Sequence, residues 1–589
     1  MKKINHKSDI CIIGGGLSGV CAALEAARGG SQVILIQDRP VLGGNSSSEI
    51  RMWVRGAGNS FRESGIIMEL DLDNIYYNPH MNAHQWDAVL YSKLRTQPNL
   101  ITIMNCSVCD AHSEQNVIKS VTGWQLTTYT WHTVEASVFI DCSGDSILAD
   151  LTQAEYMLGR EDKTTFAESI ARDVADGKHM GMSCLLQARQ TDHPVEFIAP
   201  VWAEKYDEKQ LEGKNHNCAY SNNNFWWIEV GGNTKDGIED TEECRDKLLS
   251  IVYGIWDHFK NSGHHPEALN YELEWVGFLP GKRESRRYKG AYVLTANDLT
   301  EGTPFEDTIA YGGWTMDDHN VEGFDSYGYT STHYRVKVPY PIAYRCLYSA
   351  NISNLMFAGR NISASHMAMS STRVMATCSL MGQAAGSAAN LCVKYNVFPA
   401  DIYNNYIGEL QRNLMNNGSY LPGFIRETDP IMSRVTSNLT DEEFARLTNG
   451  IDRPLPEMTN HVELSENQPI IYNINEPIEN GYALRIFFDP DYTRSSINPD
   501  NYKNNPFSQK SHRRLNFKPL NMPENLAKSY TVKATLHDNS QQILKAVNNN
   551  HSYLAMIDLP AGTKSVELTI NDTYGANARL FSCDIIKKV

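Results

Sequence analysis

No uncharged apolar run in the 589 residues approaches the roughly 20 needed to cross a bilayer. The longer ones, such as Val33–Ile36, have the length of buried strands. Met1–Asp9 carries lysines but no following apolar stretch with a small-residue cleavage site. A cytoplasmic chain is therefore expected, or a periplasmic one if a leader preceded it. Basic charge is in deficit, with Lys plus Arg 53 against Asp plus Glu 69, a net charge of -16 and a pI near 5.6. Such a field repels polyanions, so no nucleic-acid partner is expected. Cysteine clusters are missing too: of 12 cysteines only Cys106 and Cys109 form a C-x-x-C, and no second pair has zinc or iron–sulfur spacing. Reduced thiols and no metal site are expected.

What is present is the balance of a globular protein with sizeable cores. Hydrophobic residues make up 41% and charged residues 21%, with mean hydropathy -0.41, which excludes disorder and collagen-like repeats. At about 150 residues per domain, several domains are expected.

The N-terminus reads as strand, glycine turn, helix, strand: Asp9–Ile13, then Gly14-Gly15-Gly16-Leu17-Ser18-Gly19, then Val20–Arg28, then Gln32–Ile36. In a dinucleotide site Gly14 makes the tight turn, Gly16 lets pyrophosphate approach the backbone, and Gly19 lets helix and sheet pack closely. The helix N-terminus, with Leu17 and Ser18, offers free N–H groups to phosphates. The acid usual at the end of the second strand is replaced by Gln37, followed by Asp38. Glutamine lacks the charge-assisted bond of a carboxylate, so either Asp38 takes the ribose or adenosine binding weakens.

A glycine pair, Gly43-Gly44, follows with Asn45 and Ser46, a feature that NAD dehydrogenases do not need. Ser137–Ile140 is a further strand running into Ser143-Gly144-Asp145. Asn354–Arg360 is a strand ending in Gly359, and beyond Arg373 the stretch Ala376–Ala389, with Gly382 and Gly386, is small enough for close helix packing. The glycine pair resembles the motif of the FAD-binding superfamily of glutathione reductase and fumarate reductase type. That resemblance implies a return helix aimed at the flavin pyrimidine, where its dipole stabilises negative charge.

Four further segments narrow the resemblance: Pro280-Gly281-Lys282-Arg283-Glu284-Ser285-Arg286-Arg287; Gly312-Gly313-Trp314 with Asp318-His319; Val338-Pro339-Tyr340-Pro341-Ile342; and Ala358 through His366. Over roughly residues 8 to 425 the chain resembles the bacterial FAD-dependent oxidoreductase family, common in carbohydrate-degrading gut bacteria, some members of which carry a xanthan-lyase label. The resemblance implies FAD as cofactor. Asn45 stands where some relatives attach FAD covalently through a histidine, so non-covalent FAD is expected. Relatives with cysteine-ligated iron–sulfur clusters exist, and this sequence lacks their cysteines.

The expected fold is α/β: a Rossmann-like FAD-binding domain with an inserted α+β substrate domain and a C-terminal all-β, jelly-roll-like sandwich. The divisions read as 1–155 and 340–400 for FAD binding, 156–339 for the insertion, 401–454 for a helical connector and 455–589 for a galactose-binding-like sandwich. The insertion is rich in histidine and in aromatics such as Phe225-Trp226-Trp227 and Trp256, which are more often core than ligand platform. Thr440 with Glu443 reads as a capping box. From about Leu455, alternating segments such as Tyr530–Leu536 and Ser565–Ile570, set between Asn, Asp, Pro and Gly turns, read as sandwich strands. A chain ended after about Asn449 should then keep its FAD.

Oxidation at a flavin needs a group to handle the proton. His319 and His366 are the candidates, with His84 weaker; the competing reading of each is a structural histidine bonded to a carbonyl. Arg283 and Arg287, with Arg286, would form a cationic wall toward substrate or flavin, against the reading of a solvated charge run. Arg360 and Arg373 are assigned to the flavin. The leading function is hydride transfer between a substrate carbon, that of a carbohydrate or glycoside, and flavin N5. The alternatives are fumarate-reductase-like chemistry on a carboxylate, and a carbohydrate-binding scaffold with a non-catalytic flavin. Small-molecule or oligosaccharide substrate, an unspecified electron acceptor and a homo-oligomer complete the expected partners.

Overall fold

A computed structural model describes residues 1–217, 224–234, 236–326, 329–455, 459–497, 512–513 and 515–588. The chain divides into two compact units: 1–57, 80–410 and 507–518 form one, and 58–79, 411–506 and 519–589 the other.

The first unit is organised on a five-stranded parallel sheet in the order Leu355–Phe357, Val138–Asp141, Ile10–Ile13, Val33–Ile36, Leu100–Ile103. Strands 10–13, 33–36 and 138–141 are buried at every position, which is why they read as continuous apolar runs instead of alternating ones. Against the sheet lie the helices Leu17–Arg28 and Met375–Tyr395. Their contact depends on missing side chains: a Cβ on Gly382 would stand 2.1 Å from the Ser18 carbonyl oxygen, and one on Gly386 2.3 Å from that of Ala22. A second, four-stranded sheet orders Lys2–Lys7, Thr130–Glu135, Val117–Gln125 and Cys106–Glu114.

The inserted segment has its own core, in which Phe225 and Trp227 pack together with Trp256 and the other buried apolar residues of the helix Thr241–Asn261. These aromatics are core, not a ligand platform. None of the described cysteines is in a disulfide, and most are buried; Cys218 lies outside the described residues. Among the described residues no helix is long and apolar enough to cross a membrane.

The second unit is a β-sandwich. A five-stranded antiparallel sheet (Val435–Ser437, Pro469–Ile474, Thr563–Thr573, Ala527–Leu536, Gln541–Val547) and a four-stranded one (Val462–Leu464, Ala578–Lys587, Tyr482–Phe488, Leu554–Leu559) share one apolar core. The capping box forms, with the Glu443 backbone N–H donating to Thr440 Oγ1 and the Thr440 backbone N–H to Glu443 Oε2.

The boundary of this unit differs from the expected 455. Val435–Ser437 is already a strand of the sandwich, too short to show alternation in the sequence. Arg426 makes a two-pronged bond to Asp584, Nη1 to Oδ2 at 2.8 Å and Nη2 to Oδ1 at 3.0 Å, with both side chains buried. Buried Arg485 pairs with Asp452 and donates from Nε to the Asn416 carbonyl. Residues 58–79, placed by sequence in the FAD domain, also belong here: the Tyr553 hydroxyl donates to Gly65 O at 2.8 Å and Arg494 pairs with Asp71. A cut after Asn449 therefore leaves two segments without the strands they pack on. Long-range ion pairs have no periodicity to betray them.

Candidate functional site: a nucleotide cleft and two histidine clusters

At the C-terminal ends of the parallel strands lies a cleft of about 290 Å³, where doubly wound sheets hold ligands. Of the residues expected to hold cofactor, Gly14, Gly16, Leu17, Ser18, Gln37, Asp38, Gly43, Gly44, Asn45, Ser143, Gly144, Asp145, Gly359, Arg360 and Arg373 line it. Gly19, Ser46 and Gly382 do not. A Cβ on Gly19 would meet the Gly14 carbonyl oxygen at 1.9 Å, so it and Gly382 serve helix packing. Ser46 is buried, with Oγ donating to Gly43 O and accepting from Trp86 Nε1.

The cleft is built mainly from backbone. Gly14 has φ +97, and a Cβ there would lie 2.5 Å from Cys142 O. Gly16 differs: a Cβ would meet only Gly44 Cα, at 4.0 Å, so the loop keeps open space above it. The helices beginning at Leu17 and Met375 have no side-chain cap at their N-termini, and both ends border the cleft. Two uncapped positive dipole ends suit a pyrophosphate and an electron-rich ring edge.

Gln37 lines the cleft, but its amide is engaged elsewhere: Oε1 accepts from the Gly15 N–H at 2.6 Å and Nε2 donates to Val41 O at 3.0 Å. The departure from the usual acid thus braces the glycine loop, and the exposed Asp38 is the carboxylate left for a ribose. Arg39, Lys282, Met375 and Cys378 also line the cleft and were not foreseen, although Lys282 sits within the 280–287 run. Lys282 Nζ is 2.9 Å from Asp145 Oδ2, Arg360 pairs with the same carboxylate, and Ser285 Oγ donates to it at 2.8 Å. Burial alone would push the Asp145 carboxyl up; Arg360 and Lys282 outweigh it and hold the group well below the usual carboxylate range.

The run Lys282–Arg287 is a junction and not a solvated face. Glu284 Oε1 is 3.0 Å from His366 Nδ1, and Asp318 Oδ1 is 3.1 Å from its Nε2. The backbone N–H of His366 donates to Glu161 Oε2 at 2.9 Å. Burial lowers the affinity of His366 for its proton, but Glu284 and Asp318 outweigh burial and raise its pKa to about 9.

The strand Met316–His319 projects alternate residues to opposite sides, so Asp318 serves His366 while Asp317 and His319 face the other way. There His319 Nδ1 is 2.6 Å from Glu229 Oε2 and its Nε2 3.2 Å from Asp317 Oδ2. Arg373, which lines the nucleotide cleft, donates from Nη2 to the Asp317 backbone carbonyl at 3.2 Å. Burial pushes Asp317 up, and His319 and Arg373 more than reverse it, so the carboxylate stays ionised.

The expected cationic wall is not where Arg283 and Arg287 stand. Both are buried and bonded inward: Arg283 Nη2 donates to Ser183 Oγ and Trp226 O and its Nη1 lies 3.5 Å from Glu229, while Arg287 Nη1 lies 3.0 Å from Ala364 O and 3.0 Å from Glu161. Neither lines the cleft or the cavity at His366. They fix the acids that hold the histidines, because a buried carboxylate needs a paired charge. His84 is exposed, at the start of the helix Ala83–Arg95, and lines neither space.

His366 opens onto a second cavity of about 300 Å³, lined by Arg160, Glu161, Ile170, Ala171, Arg172, Asp173, Asp318, Tyr334 and Met367 as well. Charged side chains predominate, so it suits a small polar molecule better than an apolar one.

The sequence matches the family model described as FAD dependent oxidoreductase over residues 9–414. No curated protein matches it. Among solved structures, a geranylgeranyl bacteriochlorophyll reductase-like protein from Thermoplasma acidophilum is 12% identical, with TM-score 0.31, over 70% of this chain and 86% of that one. E. coli quinol fumarate reductase is 11% identical, with TM-score 0.27, over 69% and 74%. A family 32 carbohydrate-binding module of Streptococcus pneumoniae EndoD is 11% identical, with TM-score 0.18, over 26% of this chain and 96% of that one. Likeness at this level bears on neither substrate nor reaction.

Proposed function

The chain belongs to the FAD-dependent oxidoreductase family, and on that premise we propose that it removes a hydride from a C–H bond of a polar, hydroxylated small molecule, a carbohydrate or glycoside first among them. The residues of the cleft fit FAD: open space above Gly16, two uncapped helix ends, and at Asp38 an exposed carboxylate whose one recorded ion pair is a 3.7 Å contact with Arg39. Bound FAD supplies the hydride acceptor at N5. No histidine stands at position 45, so the cofactor is held there without a covalent bond.

The observation that carries the reading is the cavity at His366. Its polar lining matches a substrate rich in hydroxyls, and its histidine is held between two carboxylates. Asp318 and its neighbour Asp317 connect it to Arg373 at the edge of the nucleotide cleft. With a pKa near 9, His366 carries its proton at neutral pH. It therefore donates readily when substrate is reduced, and accepts the hydroxyl proton in oxidation only as pH rises toward 9. His319 is held in the same way by Glu229 and Asp317 but lines neither the cleft nor this cavity, and is a positioning residue.

The test is bleaching of the flavin under nitrogen by a panel of monosaccharides, glycosides and dicarboxylates. Bleaching by sugars and not by dicarboxylates is expected. The reverse pattern would favour chemistry of fumarate reductase type, with Arg160 and Arg172 holding the acid. Inertness toward both classes, with glycan binding that survives loss of FAD, would favour a scaffold.

A further inference from the structure

Away from the cleft, the inserted segment brings together four side chains that no motif links. Glu208 and His216 lie on the loop before Phe225, His258 is in the last turn of the helix Thr241–Asn261, and His265 follows in the turn after it. One ligand atom from each lies within 4.8 Å of every other. The Nε2 atoms of His258, His216 and His265 stand 3.0, 3.2 and 3.3 Å from the Glu208 carboxylate oxygens.

The opposite side of each ring decides what these contacts are. Nδ1 of His216 faces Lys214 O at 2.7 Å, that of His258 faces Tyr206 O at 3.0 Å, and that of His265 faces Glu267 Oε1 at 3.1 Å. A carbonyl or carboxylate oxygen only accepts, so each Nδ1 carries the ring proton, and a neutral ring then turns a bare lone pair to Glu208. Three lone pairs and a carboxylate meeting at one point are mutually repulsive. Independently, His265 Nε2 is buried without a hydrogen-bond partner.

We propose that Glu208, His216, His258 and His265 bind a divalent transition-metal ion, zinc by preference. Imidazole with a carboxylate suits zinc, and Nδ1 bonded to carbonyl or carboxylate is the outer arrangement that metal-bound histidines take. With metal–ligand bonds of about 2.0–2.1 Å the edge of a tetrahedron is roughly 3.4 Å, close to the separations around Glu208. Four protein ligands close the coordination, so the site is structural. It ties the loop 206–216 to the end of the helix. That loop accepts a bond from the core Trp227, whose Nε1 donates to Asn215 O at 3.1 Å, two residues before the Glu229 that holds His319.

The experiment uses full-length, tag-free protein carrying FAD. Total metal is measured by mass spectrometry, and Zn²⁺ affinity by competition with a chromophoric chelator. One zinc per chain is expected, with Co²⁺ in its place giving the visible absorption of a tetrahedral site. His216→Ala and Glu208→Gln should lose the metal while keeping FAD absorbance, and Glu267→Gln should weaken Zn²⁺ by about 10- to 100-fold. A strong chelator should lower the Tm of the wild type and not that of the ligand variants. Wild-type protein that takes up no Zn²⁺, or that keeps its Tm under the chelator, would overturn the proposal whatever the variants do. So would unchanged affinity in both ligand variants.

Discussion

The nucleotide cleft and the histidine clusters of the first unit are made by different means. In the cleft the shape comes from main chain at the ends of parallel strands, and side chains act mostly by their absence, as at Gly14 and Gly16. At His366 and His319 the site is made of charged side chains brought from distant positions, Glu284, Asp318, Glu229 and Asp317, each needing a partner to be buried. The first kind of site is lost by adding atoms, the second by removing them.

The largest effect should come from adding atoms to the cleft. In Gly16→Val the first added carbon meets only Gly44 Cα at 4.0 Å, and Gly16 has φ -63, which a branched residue accepts. The variant should fold and be colourless, as checked by circular dichroism beside flavin absorbance. Full FAD occupancy would remove the backbone from the account of the cleft. Next, His366→Asn should slow flavin reduction by about 10²- to 10⁴-fold while FAD stays bound, measured by stopped flow under nitrogen.

A buried charge outside both sites sharpens the contrast. Asp584→Ala takes away the two-pronged partner of buried Arg426 and leaves it Asp452 at 3.8 Å, and should lower stability by about 3 kcal/mol, read by denaturant unfolding, with the affinity for FAD unchanged in the folded protein. The smallest expected effect is on pH-dependent stability. His366 has a folded pKa near 9 against about 6.5 unfolded. Its contribution, up to about 3 kcal/mol, is full below pH 6.5 and declines as pH rises to 9. Tm measured over that range should fall more in the wild type than in His366→Asn.

The same contrast explains what the sequence made legible. Glycines, small helix residues and apolar strands act locally and in order, so the cleft could be read almost residue by residue from Gly14 to Asp145. Even Gln37 showed as a departure, although its bond to the Gly15 N–H could not be read from spacing. His366 was visible because it follows Gly359-Arg360, but its partner Glu284 was hidden in a run that reads as a charged surface. Glu229, Asp317 and the group Glu208, His216, His258 and His265 had no signal at all, because only folding gives them common neighbours. The sandwich strands were legible by alternation, whereas 58–79 and 411–454 are attached by a three-residue strand, a few apolar core residues and buried long-range bonds, which leave no pattern in the sequence.

The most direct test of the central claim, that His366 between its two carboxylates moves the substrate's proton, is the pH dependence of flavin reduction in a single turnover. The account predicts a rate that rises with pH, reaches half its maximum near pH 9 and levels off above it in the wild type, and a His366→Asn variant that is slow and lacks that rise. A wild-type profile flat between pH 6 and 10, or one that survives unchanged in His366→Asn, would contradict it.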